Sequence, residues 1–221
     1  MKTPRIQRGI TLFELIVVLA VLAILVSLLL PSVSPSGLGP GQMTQALNNE
    51  RHIYQATLDM FNDGISSDDK SIGWPGDLVA SGTMPCKITD FVKVLVEHDY
   101  LKTGDLKVFA ASGVTPFADR NINKFTANLG SNNNCAYTVY CVQQSDAPEA
   151  LFLSTINATL DVSSTTFKLD AKAVPFGDRG YVIFHKGGDG AILGKNQALR
   201  PNLQGVPCQM AISGTAALRA E

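Results

Sequence analysis

The longest uninterrupted pattern in the chain is an apolar run close to its N-terminus. Between residues 10 and 30 every residue is Ala, Val, Ile, Leu or Phe except for one Thr, one Ser and Glu14. A helix over this run would be roughly 31 Å long, which is enough to cross the hydrocarbon core of a membrane. Pro31 follows the run directly. The pattern therefore predicts a transmembrane helix over residues 10–31.

A second helical pattern follows after an interruption. Residues 32–41 contain two prolines and three glycines, which break or melt a helix, and we predict a flexible joint there. Residues 42–62 then carry large apolar side chains at helical spacings, which predicts a helix that packs against a sheet. The residues of this stripe are Met43, Leu47, Tyr54, Leu58 and Phe61. Gly64, just beyond the pattern, predicts the end of this helix.

The pattern changes from helical to alternating in the C-terminal half. A loop over residues 65–87 precedes a short helix, which Thr89 can cap and which we predict to reach about Leu101. Residues 103–134 have no regular pattern, and strands are predicted after them. The predicted strands are Ala136–Val142, Leu151–Ile156, Thr166–Leu169, Tyr181–Lys186 and a short extended piece at Ala191–Leu193. This order of elements predicts an α+β fold, in which the helix of residues 42–62 packs on a C-terminal antiparallel sheet.

The distribution of charge predicts the orientation of the chain. Lys2, Arg5 and Arg8 precede the apolar run, so the positive-inside rule places the N-terminus in the cytoplasm and the C-terminal domain outside. The chain as a whole has 18 basic and 19 acidic side chains. The sequence contains no basic patch of the kind that binds nucleic acid, and we do not predict nucleic acid as a partner.

Glu14 is unusual in an apolar helix, because a charged carboxylate without a partner is costly in lipid. A glutamate near a helix end can reach the interface, but the residues before it indicate another role. If the chain were cut after Gly9, Ile10 would carry a new ammonium group in or near the membrane. Glu14 of a neighbouring copy could neutralise that group, and the two charges would become one hydrogen-bonded pair. Such pairs would assemble identical helices side by side.

The sequence RGITLFELIVVLAVLAILVSLLLP, residues 8–31, resembles the N-terminal cleavage and methylation segment of type IV prepilins and type II secretion pseudopilins. The resemblance implies cleavage by prepilin peptidase after Gly9 and N-methylation of Ile10. It also implies that Glu14 takes part in assembly and that Pro31 locally loosens the helix.

The same resemblance divides the chain into four parts and implies a pilin-like α+β fold with one long N-terminal helix. The parts are a cleaved basic leader at 1–9, a transmembrane and assembly helix at 10–31, a Gly/Pro joint that interrupts the helix at 32–41, and an extracytoplasmic globular domain at 42–221. We expect the interrupted helix to pack on the C-terminal antiparallel sheet of that domain.

The function that the resemblance implies is that of a structural subunit, in either a type II secretion pseudopilus or a type IV pilus-like filament. The expected location is the bacterial inner membrane, with one pass and the C-terminal domain in the periplasm, and then a periplasmic or surface filament. The expected partners are further copies of the chain, prepilin peptidase, the inner-membrane assembly platform, minor pilins, and the membrane before assembly. The alternative is a membrane-anchored extracytoplasmic binding domain that does not polymerise and has no use for Gly9 or Glu14.

Four cysteines fall in the predicted outer domain, and they are Cys86, Cys135, Cys141 and Cys208. An even number in an oxidising compartment predicts two disulfides, and buried free thiols are the alternative. If Cys135 and Cys141 belong to one extended strand, their α-carbons are about 20 Å apart, which is too far for a bond between them. Cys86 and Cys208 are then the partners, in either order.

No catalytic motif is present, neither Gly-x-Ser-x-Gly nor His-Glu-x-x-His nor a phosphate-binding loop, so we do not expect an enzyme. Major pseudopilins hold a calcium ion in a C-terminal loop, and the resemblance makes Asp178 and Asp189 candidate calcium ligands. Hairpin turns are the more frequent reason for Asp-Gly sequences. No other cofactor is expected, because the histidines show no metal-ligand spacing.

Overall fold

The computed structural model describes residues 12–29, 40–84, 87–116, 121–124, 135–161 and 166–198. The chain divides into two compact units, Met1–Gly37 and Leu38–Glu221, and each is described by itself. The second unit is called the globular domain below.

Helix α1, Leu12–Leu29, lies in the first unit. It falls within the apolar run for which the sequence predicts a helix, and Glu14 is its only ionisable residue. Across the described stretches of the chain, no helix has the length and apolarity required to cross a membrane.

Helix α2, Pro40–Ser67, is the first described element of the globular domain. Proline suits the first turn of a helix, because the N–H that it lacks would have had no helical partner there. The sequence assigns Pro40 and Gly41 to the flexible joint, and this assignment is wrong because both residues are helical. Residues 30–39, which include the rest of the predicted joint, lie outside the described part of the chain.

The predicted end of α2 at Gly64 is also wrong. Gly64 is buried within the helix, where a Cβ would lie 2.7 Å from the carbonyl oxygen of Ile72. Glycine therefore allows close packing at this position. The helix ends instead with Asp68 in the left-handed region at φ 53°, and the amide of Asp69 donates a hydrogen bond of 3.0 Å to the carbonyl of Gly64. This is a Schellman motif, with aspartate in the place that glycine usually takes.

The buried face of α2 follows the spacing of a helix. Its residues are Ala46, Glu50, Ile53, Ala56, Thr57, Met60 and Gly64. The predicted stripe flanks this line, and each of its members is partly buried against the same core. The predicted face of α2 is therefore correct, although the sequence pattern does not identify its centre.

Between α2 and residue 116, the described residues form three short helices. They are α3 at Pro75–Ala80, α4 at Ile88–Glu97 and a 3-10 helix at Thr103–Phe109. α4 is predicted, but Lys87 rather than Thr89 takes its N-cap position, without a side-chain cap bond. α4 also ends before Leu101, because Asp99 adopts a positive φ of 62° that a helix cannot continue. α3 and the 3-10 helix are not predicted by the sequence pattern.

The C-terminal half forms strands, as predicted. They are β1 at Tyr137–Val139, β2 at Leu151–Thr155, β3 at Ala158–Asp161, β4 at Thr166–Leu169, β5 at Gly180–His185 and β6 at Gly190–Gly194, before the short helix α5 at Lys195–Ala198. The observed β4 matches the prediction, β2 ends one residue earlier than predicted, and β5 and β6 each differ from the prediction by one residue at both ends. β1 is shorter than predicted, and β3 and α5 are new.

The strands form a four-stranded antiparallel sheet in the order β1-β2-β5-β6, and β3 and β4 pair as a separate two-stranded ribbon. α2 packs against β5, β6 and the 3-10 helix. The predicted α+β architecture of a helix on an antiparallel sheet is thus present in the globular domain.

Trp74 is the only tryptophan of the chain and lies at the centre of the core, 2% exposed. The rings of Tyr54, Phe61 and Phe152 have their centroids 6.2, 5.6 and 5.5 Å from its ring. Because these rings come from α2 and β2, and Trp74 itself precedes α3, one aromatic cluster joins both layers of the domain.

Candidate functional site

The described side chains of α1 are exposed although they are apolar. Each of the nine large apolar side chains described between Leu12 and Leu22 is at least 44% exposed, and Leu12 and Phe13 reach 76%. Apolar surface in water is unfavourable by about 25 cal/mol per Å², and a contiguous patch of this kind marks a surface that another apolar phase or protein covers. The exposed apolar side chains therefore make α1 a candidate interaction surface.

The sequence predicts a role in processing or assembly for four residues, and only one of them belongs to the described part of the chain. Gly9, Ile10 and Pro31 are outside the described residues. Glu14 lies within α1. Glu14 is the one ionisable residue in the sequence of α1, and its role in assembly stays a prediction.

The cysteines are divided between described and undescribed parts of the chain. Cys135 and Cys141 are each 1% exposed and are not bonded to each other. The Cys135 thiol donates a hydrogen bond of 3.2 Å to the carbonyl of Tyr137, and burial raises its pKa to about 12. Cys86 and Cys208 lie outside the described residues, so the predicted pairings remain predictions.

Asp178 precedes β5 and pairs with the ammonium of Lys195 at the start of α5. The hydrogen bond from Lys195 lowers the pKa of the Asp178 carboxyl, and the positive charge of the ammonium acts in the same direction. Both side chains are exposed, so this pair adds little to the stability of the fold.

Asp189 lies at the other end of β5, in the turn to β6. Its Oδ2 is 2.6 Å from Nδ1 of His185, and its main-chain carbonyl accepts a hydrogen bond of 2.8 Å from the His185 amide. The Asp189 side chain is 72% exposed, whereas that of His185 is 4% exposed. Of the three histidines, His185 is buried, whereas His52 and His98 are exposed.

The structure does not bring Asp178 and Asp189 together. β5 separates the two residues by roughly 20 Å, at about 3.3 Å per residue, whereas calcium requires ligand oxygens within about 2.6 Å. One calcium ion bound by both carboxylates is therefore inconsistent with this geometry. Among the described residues, no group of three or more His, Cys, Asp and Glu side chains is placed to hold a metal ion.

Sequence reasoning misses a buried acid in the core. Glu50 is 0% exposed on the buried face of α2, and neither of its carboxyl oxygens has a hydrogen-bond partner. Burial raises the pKa of its carboxyl well above the usual value. The pKa of the Tyr137 hydroxyl is raised by its own burial first, and by the charge of Glu50 second. The signal for Glu50 is present in the sequence, since it lies three residues after Leu47 and four before Tyr54, in the gap of the predicted stripe.

Sequence reasoning also misses Lys186, which follows β5. Its ammonium donates hydrogen bonds of 2.7 and 2.6 Å to the main-chain carbonyls of Gln144 and Asp146, and it lies 5.9 Å from the ring centroid of Trp74. The lysine therefore joins the β5–β6 turn to the loop between β1 and β2. No local pattern signals these contacts, because the residues involved are 40 and 42 positions apart.

Comparison with known proteins identifies the N-terminal segment. Residues 4–30 match the prokaryotic N-terminal methylation motif, which is the hallmark of type IV prepilins and pseudopilins. The predicted resemblance of this segment is thus confirmed, and it supports a type IV pilin-like protein. Proteins of this family are structural rather than catalytic. No curated protein and no solved structure matches the chain.

Proposed function

We propose that this chain is a structural subunit of a pilus-like filament, of the type II secretion pseudopilus or type IV pilus kind. In this proposal prepilin peptidase removes residues 1–9 after Gly9, and the new N-terminus at Ile10 is methylated. The subunit then polymerises through α1. The observation that carries the proposal is the match of residues 4–30 to the methylation motif.

The exposed apolar surface of α1 supports the same function. The free helix exposes large apolar side chains between Leu12 and Leu22, and they require a cover. Lipid covers them while the subunit waits in the inner membrane, and helices of neighbouring subunits cover them in the filament. The same surface of α1 thus contacts lipid before assembly and other subunits after it. The assembly platform and minor pilins are the partners that transfer the subunit from the membrane to the filament.

Glu14 gives this assembly its register. In lipid the carboxylate has no partner within α1, whose other residues are all uncharged. When the helix lies beside another subunit, its carboxylate can accept hydrogen bonds from the methylated ammonium at Ile10 of that neighbour. Two isolated charges become one pair, which favours a single axial offset between subunits.

The first experiment is the mass of the mature N-terminus of the protein recovered from membranes. We expect a chain that begins at Ile10 and carries one additional methyl group. A chain that begins at Met1 would contradict the proposal and indicate a membrane-anchored binding domain. A chain that begins near Pro35 would contradict it as well, because it would indicate a secreted domain released from a signal peptide.

The second experiment replaces Glu14 by Ala and measures membrane insertion and filament yield separately. We expect normal or better insertion and a loss of filaments. Ser27→Ala is the matched control, since it removes a polar group from the same helix without removing a charge, and it should assemble normally. Unchanged filament yield in Glu14→Ala would refute the assembly role of Glu14.

A further inference from the structure

The loop between β1 and β2 is built around the ammonium of Lys186. The Lys186 amide donates a hydrogen bond of 2.8 Å to the carbonyl of Ala150, so the backbone is fixed beside the loop. Its Nζ then donates to the carbonyl oxygens of Gln144 and Asp146, at 2.7 and 2.6 Å. These distances are at the short end for charge-assisted hydrogen bonds, so both carbonyls are directed at one positive charge.

Two carboxyl groups belong to the same cluster. Asp77 Oδ2 accepts a hydrogen bond of 2.9 Å from the Gln144 amide, and Asp146 Oδ2 accepts one of 2.8 Å from the Gln143 amide. Asp146 is 8% exposed, and its Oδ1 has no hydrogen-bond partner. Burial raises the pKa of the Asp77 carboxyl, whereas the hydrogen bond from the Gln144 amide and the positive charge of Lys186 act in the opposite direction.

The chemistry of this cluster is that of a cation site. Main-chain carbonyl oxygens and carboxylates are the ligands that hard cations prefer in proteins. Without a positive charge beside them, the two partly buried carbonyl oxygens would lack hydrogen-bond donors. The two neighbouring carboxyl groups would also lack an opposite charge, and both effects are unfavourable. The ring of Trp74, whose centroid is 5.9 Å from Nζ, adds a weaker attraction for positive charge.

We propose that the main-chain carbonyls of Gln144 and Asp146 form a cation-binding position, which the chain fills with its own Lys186 ammonium and which the negative charge of the neighbouring Asp77 and Asp146 carboxyl groups favours. The loop between β1 and β2 then needs no ion from solution. If the lysine side chain is cut back, an oxygen-preferring divalent cation takes its place. This inference concerns the globular domain and does not depend on whether the subunit forms a filament.

The test compares the thermal unfolding of the full chain in detergent with a chelator and with millimolar calcium chloride, followed by Trp74 fluorescence. Wild type should have the same unfolding midpoint in both solutions. Lys186→Ala should have a lower midpoint in chelator and recover about half or more of the loss as calcium is added, with saturation. Lys172→Ala, which removes an exposed lysine, is the matched control and should resemble wild type in both solutions.

Two further variants identify the position itself. Asp77→Asn combined with Lys186→Ala should lose the response to calcium, because a neighbouring negative charge that favours the cation is gone. Lys186→Arg keeps the positive charge and should remain insensitive to calcium. If Lys186→Ala does not fold in chelator, the yield of refolded protein with and without calcium replaces the midpoint as the measurement, and recovery with calcium is expected.

The proposal is overturned if Lys186→Ala is as stable as wild type in chelator, or if calcium changes neither its midpoint nor its refolding yield. It is also overturned if calcium stabilises the wild type or the Asp77→Asn, Lys186→Ala double variant to the same extent, since the cation would then bind elsewhere.

Discussion

The amide of Gly76 donates a hydrogen bond of 2.8 Å to the carbonyl of Val142, and no side chain fits between the two residues. A Cβ on Gly76 would lie 2.6 Å from that carbonyl oxygen and 2.5 Å from the carbonyl oxygen of Cys141. Helix α3 is therefore held directly against the main chain that follows β1. Both contacts are with backbone atoms, which cannot rotate away as a side chain can.

Gly76→Ala should destabilise the globular domain by about 2–4 kcal/mol, because the added methyl group forces the two segments apart and weakens their hydrogen bond. Denaturant unfolding of the detergent-solubilised chain, followed by Trp74 fluorescence, measures the change. Gly104→Ala is the matched control, since a Cβ there meets no atom within 4 Å, and it should be close to neutral. A loss in Gly76→Ala no larger than in this control would contradict the close packing.

Glu50 should make the stability of the globular domain fall as pH rises. Its pKa is raised in the folded state, so above the unfolded value of 4.5 the unfolded chain loses a proton that the folded chain still holds. Stability is therefore highest below that pH, decreases above it, and levels off once the folded-state pKa is passed. Glu50→Gln should flatten this dependence, as measured by unfolding midpoints at a series of pH values.

Glu50→Met should stabilise the domain at pH 7 by about 1–3 kcal/mol, because it replaces a buried carboxyl without hydrogen-bond partners by an apolar side chain of similar length. Glu149→Gln, which changes an exposed glutamate, should alter neither the stability nor its dependence on pH. A destabilised Glu50→Met would indicate that the carboxyl makes a favourable contact in solution.

The Cys135 thiol should be unreactive in the folded protein. It is 1% exposed, and a pKa of about 12 leaves almost no thiolate at pH 8. Alkylation with iodoacetamide at pH 8, followed by peptide mass analysis, should leave Cys135 unmodified in the native chain and modify it after denaturation. Modification that requires both denaturant and reductant would instead show that Cys135 forms a disulfide, and the linked peptide would identify Cys86 or Cys208 as its partner.

Asn157 should contribute more to the stability of the globular domain than most of its polar residues do. It is fully buried, and its Nδ2 donates hydrogen bonds of 2.7 and 2.8 Å to the carbonyls of Gly177 and Gly180, which connects the turn after β2 to the start of β5. Asn157→Ala should cost about 2–4 kcal/mol, since it removes both donors from buried acceptors. Asn48→Ala, on the exposed side of α2, should change stability by about 0.5 kcal/mol or less in the same denaturation experiment.

The strands could be predicted because their signals are local. The strand Thr166–Leu169 was predicted at its observed bounds, and β5 within one residue, since alternating or continuous apolar residues between turns define such segments. β3 was missed because four residues, Ala158–Asp161, carry little pattern of their own and become a strand only by pairing with β4.

The ends and interior of α2 show where local signals compete with packing. Gly64 has the chemistry of a helix end, but the close approach of Ile72 gives it a place inside the helix. Glu50 has the chemistry of a surface residue, but the helical period places it on the buried face. In both cases the position of the residue is determined by packing against other parts of the folded chain. A local segment of sequence contains no information about those contacts.

The candidate sites divide in the same way. The methylation segment is one continuous stretch, so Gly9, Ile10 and Glu14 could be read from the sequence before any fold was known. The cluster at Lys186 combines residues from α3, the loop after β1 and the turn after β5, and only the folded chain brings them together. Asp178 and Asp189 illustrate the converse, since two similar turns in the sequence lie at opposite ends of one strand.

The packing of α2 against β5 and β6 has a consequence for the order in which the chain can fold. α2 is made early, whereas the strands that cover its apolar face, Gly180–His185 and Gly190–Gly194, are made more than a hundred residues later. Contacts between such distant segments form late, because a long loop must close first. The part of the α2 face that β5 and β6 cover therefore stays exposed until the chain has been made through residue 194, and a chain truncated or stalled before that point should be a substrate for holding chaperones and proteases.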